Sequence, residues 1–184
     1  MPNRPRLLVT LDGPAGAGKS TVAQAVAAAL GIAYLDTGAM FRSIAWALGE
    51  NSWTLDDASL ERALQELRFD LHGSGPGSSL TMNGESVGEW IRTETVGMWA
   101  SNIATRFPVR EKLKADQRRL GWRHDLVAEG RDMGSVVFPD ALCKVFLVAS
   151  AEERARRRWA QLREKGQEPS LADLIQQIRQ RDEQ

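Results

Sequence analysis

The sequence predicts an α/β protein, a three-layer α/β/α arrangement around a parallel sheet with a small antiparallel insert. Three observations carry that reading. Short, continuously apolar runs alternate with helical patterns, as buried parallel strands and their crossovers do. A glycine-rich loop stands between the first such run and the first helical pattern. One stretch near the middle changes to two-residue alternation around an Asn-Gly pair, the mark of a tight antiparallel hairpin.

The elements follow in chain order. Residues 7–12 read as the first strand and residues 19–30 as the first helix, where Val22, Val26 and Leu30 recur at helical spacing beside Ala23 and Ala27. Gly31 is a good helix stop. A second strand covers 32–35 and a second helix 39–48. The rhythm then breaks. Leu67, Phe69 and Leu71 alternate with Arg68, Asp70 and His72, a Gly/Ser loop covers 73–79, and residues 80–87 form a hairpin turning at Asn83-Gly84. Antiparallel strands here imply a small sheet standing off the main one. Helices are expected over 94–106 and 109–120, parted by Pro108. Strands follow at 125–128 and 144–149. The last third is helical: 152–165, with Ala155, Trp159 and Leu162 as its packed stripe, then a helix from about 171 capped by Ser170. The whole reads as one domain, with a core of about 1–60 and 104–184 and an insert of about 61–103.

Composition narrows the function classes. The chain has 184 residues, 42% of them hydrophobic, enough for a real core. Lys+Arg and Asp+Glu balance at 24 each, which argues against bulk polyanion binding and hence against nucleic acid as partner. The single cysteine, Cys143, lies in an apolar run and reads as a buried strand residue. His72 and His124 read as surface or turn residues, and no Cys/His cluster suggests zinc. Trp46, Trp90, Trp99, Trp122 and Trp159 fall mostly at apolar helix positions, where core packing is expected. With no apolar signal segment and no run of membrane-spanning length, a cytoplasmic protein without a membrane partner is expected.

The chemistry starts at Gly13-Pro14-Ala15-Gly16-Ala17-Gly18-Lys19-Ser20-Thr21, which fits G-x-x-x-x-G-K-[ST] at every fixed position. Backbone N–H groups of such a loop wrap a triphosphate, and the following helix N-terminus favours negative charge. Lys19 would reach the β- and γ-phosphates, and the Ser20 hydroxyl would meet Mg²⁺. The loop alone does not separate kinases from other nucleotidases. No Asn-Lys-x-Asp base-reading motif of a GTPase is present. Instead arginines gather at or near strand ends: Arg42, Arg110, Arg131 and the group Arg154, Arg157 and Arg158. Phosphoryl transfer between two polyanions needs such charge, and arginine can grip two oxygens at once.

Five segments bring a family into view: residues 12–20, Leu35-Asp36-Thr37-Gly38-Ala39-Met40-Phe41-Arg42, Ile91-Arg92-Thr93, Phe107-Pro108-Val109-Arg110, and residues 129–140 around Gly130-Arg131-Asp132-Met133-Gly134. In order and over nearly the whole chain, they resemble the bacterial cytidylate kinases. The resemblance implies a nucleoside monophosphate kinase fold and the reaction ATP + (d)CMP → ADP + (d)CDP. The insert would bind the monophosphate, and residues of about 150–170 would form a lid over ATP. Lys19, Arg131, Arg157 and Arg158 would act on the transferring phosphates. Thr37, Arg42 and Arg131 would hold the acceptor phosphate, and Ser101, Arg110 and Asp132 would read the cytosine edge. Asp132 suits the exocyclic amine, and Arg110 and Ser101 suit the ring nitrogen and carbonyl. Asp36, and equally Glu129, would support Mg²⁺ through water or hold a loop. ATP and Mg²⁺ are the implied cofactors, CMP or dCMP the substrate, and a monomer the expected state.

The chain also departs from the family's pattern. Thr37 and Phe41 replace its usual Ser and Tyr. Arg181 and Asp182 match the start of its Arg-Asp-x-x-Asp-x-x-Arg stretch, whose later Asp and Arg, with a last strand and helix, do not follow. Four main strands with an exposed edge are therefore expected, and weak or no turnover for the chain as written. Two other readings stay open: another P-loop kinase acting on UMP or AMP, and an inactive or truncated nucleotide-binding module.

Overall fold

The computed structural model describes residues 6–164 and 166–182. Strand β1 (Leu8–Asp12) leads through the glycine-rich loop into helix α1 (Lys19–Leu30). Strand β2 (Ala33–Asp36) and helix α2 (Thr37–Leu48) repeat that unit, followed by α3 (Asp57–Gln65), which the periodicity did not reveal. The strands β3 (Phe69–His72), β4 (Ser79–Met82) and β5 (Glu85–Ser86) pair antiparallel. Helices α4 (Glu94–Ile103) and α5 (Phe107–Arg123) return the chain to strand β6 (Leu126–Gly130). Strand β7 (Cys143–Phe146) and helices α6 (Ala151–Glu164) and α7 (Leu171–Asp182) complete the fold.

The main sheet is parallel, in the order β2-β6-β1-β7. Asp12, the last residue of β1, is therefore flanked by Gly130 on one side and Phe146 on the other. Ligand sites on open parallel sheets form at this carboxyl end of the strands.

Local rules account for most boundaries. Gly31 takes the left-handed conformation and ends α1, with the N–H groups of Gly31 and Ile32 turned back to the carbonyls of Ala28 and Ala27. Asp36 caps α2 by accepting from the Ala39 amide at 2.9 Å, and Asp56 and Thr93 do the same for α3 and α4. Asn83 and Gly84, at φ 52° and 85°, make the hairpin turn that joins β4 to β5.

Several expectations are corrected. The small sheet does not stand apart: Phe69 and Leu71 of β3 share one buried cluster with Leu35, Leu126 and Ala128 of the main sheet. On α1 the buried face is Ala23 and Ala27, with Val26 partly buried beside them against Val9, Leu11 and Val127, whereas Val22 and Leu30 are exposed. Cys143 is exposed, not buried, because β7 is an edge strand paired to β1 alone and exposed along its length. Of the tryptophans, Trp122 is 79% exposed on the outer face of α5, and Trp46 and Trp90 are half-exposed and pack on each other, centroids 5.0 Å apart at 52°. Trp99 joins the core clusters at their margin, as does Trp53.

Candidate active site

The phosphate loop occupies the expected junction of β1 and α1. Gly13 has φ 144°, and a Cβ there would fall 2.1 Å from the Leu147 carbonyl oxygen, so only glycine lets the loop leave β1 beside the segment after β7. Gly18, also left-handed, turns the chain into α1. The first amides of that helix have no partner within it, which is the arrangement an anion meets at a helix start. The Lys19 ammonium folds back and donates to the Pro14 carbonyl at 2.9 Å. Burial holds its pKa below the ordinary lysine value, with Arg131 adding to the effect and Glu129, Asp36 and Asp12 opposing it.

Facing the loop is the turn that follows β6. It contains Arg131 and Asp132 and continues into one π-helical turn, Met133–Val137. Arg131, Gly13, Pro14 and Asp182 share a cleft of about 350 Å³ with Phe146 and Val148. Asp132 forms an ion pair with Arg110 of α5 at 3.0 Å, so two of the three base-reading candidates are brought together. The third, Ser101, donates to the Gly97 carbonyl at 3.0 Å within α4. Arg42 donates from α2 to the Ile91 carbonyl at 3.4 Å, reaching the segment Glu89–Arg92 that leads into α4. Thr37 is buried, and its hydroxyl donates to the Glu129 carbonyl at 2.7 Å. Its proton is thus committed to the backbone. The Arg181 side chain lies outside the described residues.

Asp12 escaped the sequence reading. Its carboxylate accepts from the Met133 amide and the Gly134 amide, each at 2.8 Å, and it is only 7% exposed. The sequence signal was a charged residue ending an otherwise apolar strand, directly before the glycine loop.

A buried polar cluster lies beneath the loop. The Tyr34 hydroxyl donates to Glu129 Oε1, while Glu129 Oε2 is buried without a hydrogen-bond partner. Burial raises the Glu129 pKa, nearby Asp36 adds to the rise, and bonds from Tyr34 and Ser20 and the Lys19 charge offset part of it. Burial likewise pushes the Tyr34 phenol upward, so it stays a donor. Asp36 has both oxygens engaged, Oδ1 capping α2 and Oδ2 meeting Arg92 at 3.2 Å. Of the two carboxylates weighed for a cation, Glu129 is the one with an oxygen to offer. Among the described residues no group of three or more His, Cys, Asp and Glu comes together. One hydroxyl and one carboxylate suit Mg²⁺, which keeps several waters and takes its remaining ligands from phosphates.

The basic helix α6 docks on the loop, but through a different set of arginines from those expected. Arg154, 5% exposed, donates to the carbonyls of Ala15 at 3.3 Å and Ala149 at 3.1 Å and grips Asp182 with both arms. Arg157 donates to the Ala17 carbonyl at 3.1 Å and to Glu153 at 2.8 Å. Arg158 turns away from the loop and pairs with Glu94 at the start of α4. Arg154 was named with this group but not singled out within it, because burial of one arginine among several on a basic helix leaves no mark in the sequence.

Comparison with known proteins follows this geometry. The family model described as cytidylate kinase matches residues 9–184. The cytidylate kinase of Maridesulfovibrio salexigens is 55% identical over 96% of this chain and 79% of its own length. That of Thermosipho melanesiensis is 46% identical over 96% of this chain and 79% of its own. A bifunctional pantoate ligase/cytidylate kinase of Prochlorococcus marinus is 46% identical over 95% of this chain and 34% of its own length.

Proposed function

The chain belongs to the cytidylate kinase family and is therefore a nucleoside monophosphate kinase, a phosphotransferase; we propose that it moves the γ-phosphoryl group of ATP onto CMP or dCMP through the residues assembled above. An oxygen of the acceptor phosphate forms the new bond to the γ-phosphorus, the bond to the β–γ bridging oxygen breaks, and ADP leaves. The acceptor phosphate is already anionic, so no general base is required and positioning dominates.

The observation that carries this reading is the pair of Arg110, from α5, with Asp132, the residue next to Arg131, which shares a cleft with Gly13 and Pro14 of the phosphate loop. It presents an acceptor beside a donor, which matches the amine and ring nitrogen of cytosine. A uracil would set a carbonyl against the carboxylate, leaving buried polar groups unpaired. Arg42 and Arg131 would hold the acceptor phosphate, with Thr37 ordering the wall between them and Ser101 completing the base contact. Lys19 and Arg157 would neutralise the transferring group from the loop side, while Arg158 would do so only on leaving Glu94. Mg²⁺, held by Ser20 and through water by Glu129, would supply charge neutralisation between the phosphates. The insert of about 61–103 and the lid of about 150–170 would close over the two nucleotides. No helix among the described residues is long and apolar enough to cross a membrane. We place the protein in the cytoplasm, as a monomer, where its nucleotide substrates are.

A substrate panel tests the reading. Wild type should phosphorylate CMP and dCMP far better than UMP or AMP. The variant Asp132→Asn should lower kcat/KM for CMP by about two orders of magnitude and raise UMP relative to CMP, since an amide can donate to the uracil carbonyl. ATP binding should be unchanged. Equal use of CMP by the variant would remove Asp132 from base recognition, and preference of wild type for UMP or AMP would overturn the assignment.

A further inference from the structure

We infer that Asp12 is a positioning residue that sets the distance between the donor loop and the acceptor turn. This rests on the kinase reading above and assigns to one side chain the alignment of its two halves. Asp12 is the last residue before the loop, and Gly13 follows it directly. Its side chain spans to the next strand's exit, where Oδ1 accepts from the Met133 amide and Oδ2 from the Gly134 amide, both at 2.8 Å. Those two amides come immediately after Arg131 and Asp132. The turn that would hold the acceptor phosphate and read the base is thus fastened to the residue from which the ATP loop springs.

The backbone of Asp12 is fastened on the other side as well. Its carbonyl accepts from the Leu147 amide at 2.7 Å, just past β7. The end of β1 is therefore held from both flanks, by its side chain toward the acceptor turn and by its backbone toward the segment leading to α6.

The fit is close. A Cβ at Gly134 would lie 2.7 Å from Thr10 Oγ1, so the turn approaches β1 to a distance that only glycine permits. A carboxylate at 7% exposure is costly unless its oxygens are satisfied, and here two amides aim at it. Both oxygens being engaged, Asp12 is not poised to take a proton from substrate. Its service is geometric, and a misplacement of about 1 Å in such a turn can lower turnover about a hundredfold.

The near-isosteric variant Asp12→Asn tests this, because its amide must turn an N–H toward one of the two backbone N–H groups. Wild type and variant are compared in kcat, KM for CMP and KM for ATP, with thermal unfolding and binding of a fluorescent ATP analogue as controls. We expect kcat to fall at least tenfold and KM for CMP to rise, with ATP-analogue affinity within threefold of wild type. A merely structural role would lower the unfolding temperature and leave kcat per folded molecule and both KM values unchanged, and that outcome would overturn the inference. So would a parallel loss of ATP-analogue affinity, since the donor loop would then be what Asp12 shapes. If Asp12→Asn misfolds, Gly134→Ala loosens the same junction from the other side and must show the same split. Failure of the kinase reading is separate, because it shows as absence of CMP turnover by wild type.

Discussion

Glu129 sets two demands against each other within one side chain. It is 4% exposed with one oxygen unpartnered, so its charge is disfavoured, and yet a carboxylate beside Lys19 and Ser20 is what a hydrated cation would use. The sign for stability follows. A carboxyl whose folded pKa lies above its unfolded value favours the folded state at pH below the unfolded value, and that contribution is lost as pH rises through the folded value. Each unit of the rise corresponds to about 1.4 kcal/mol. The variant Glu129→Gln, neutral throughout, should match wild type in thermal stability near pH 4 and exceed it increasingly toward pH 8 when no nucleotide or metal is added. Its turnover should need more Mg²⁺ for half-maximal rate. A stability gap that stays constant across that pH range would show that folding does not raise the Glu129 pKa. Arg154 presents the complementary case: a cation almost fully buried is tolerated because Asp182 and two carbonyls surround it.

Among the elements, α1 shows how far hydrophobicity alone misleads. Val22 and Leu30 face solvent, and its contact with the sheet is made by Ala23 and Ala27, which occupy the fully buried positions, with Val26 partly buried beside them. Replacing Ala27 by Leu should cost about 1–3 kcal/mol through overpacking. Leu30→Lys should stay within about 0.5 kcal/mol of wild type, with a cation at the helix C-terminus. Chemical denaturation of the two variants checks the pair, and the opposite ranking would mean that Leu30 belongs to the buried face. The glycine loop, the caps and the Asn-Gly hairpin were legible for a related reason: each is a local rule, satisfied within a few residues. Cys143 was misread because an apolar strand looks the same whether it lies in the middle of a sheet or at its edge. Asp12 was missed because its partners are more than a hundred residues away.

Across the whole molecule, ion pairs join parts that are distant in sequence around the candidate active site. Arg92 joins the segment before α4 to the end of β2, Arg158 joins α6 to α4, and Arg154 joins α6 to the end of α7. The pairs of Arg92 and Arg158 are exposed and contribute about 0–1 kcal/mol each, so they orient these parts without locking them, whereas Arg154 is buried against Asp182. The family's motifs made the reaction class legible, because the glycine loop and the turn after β6 each occur as a contiguous string. The partners chosen by each arginine were not legible, because spacing on a helix says which side chains share a face and nothing about which carbonyl or carboxylate lies opposite. The stacked indoles of Trp46 and Trp90 bear on the same joint. Trp46 lies one helical turn beyond Arg42, and Trp90 two residues before Arg92. The protein thereby has an intrinsic optical gauge across the contact between α2 and the segment Glu89–Arg92. Titration with CMP should shift the tryptophan emission of wild type and leave that of Trp90→Phe nearly still, and an unchanged wild-type spectrum at saturating CMP would mean that the two rings keep their mutual angle when the acceptor is bound.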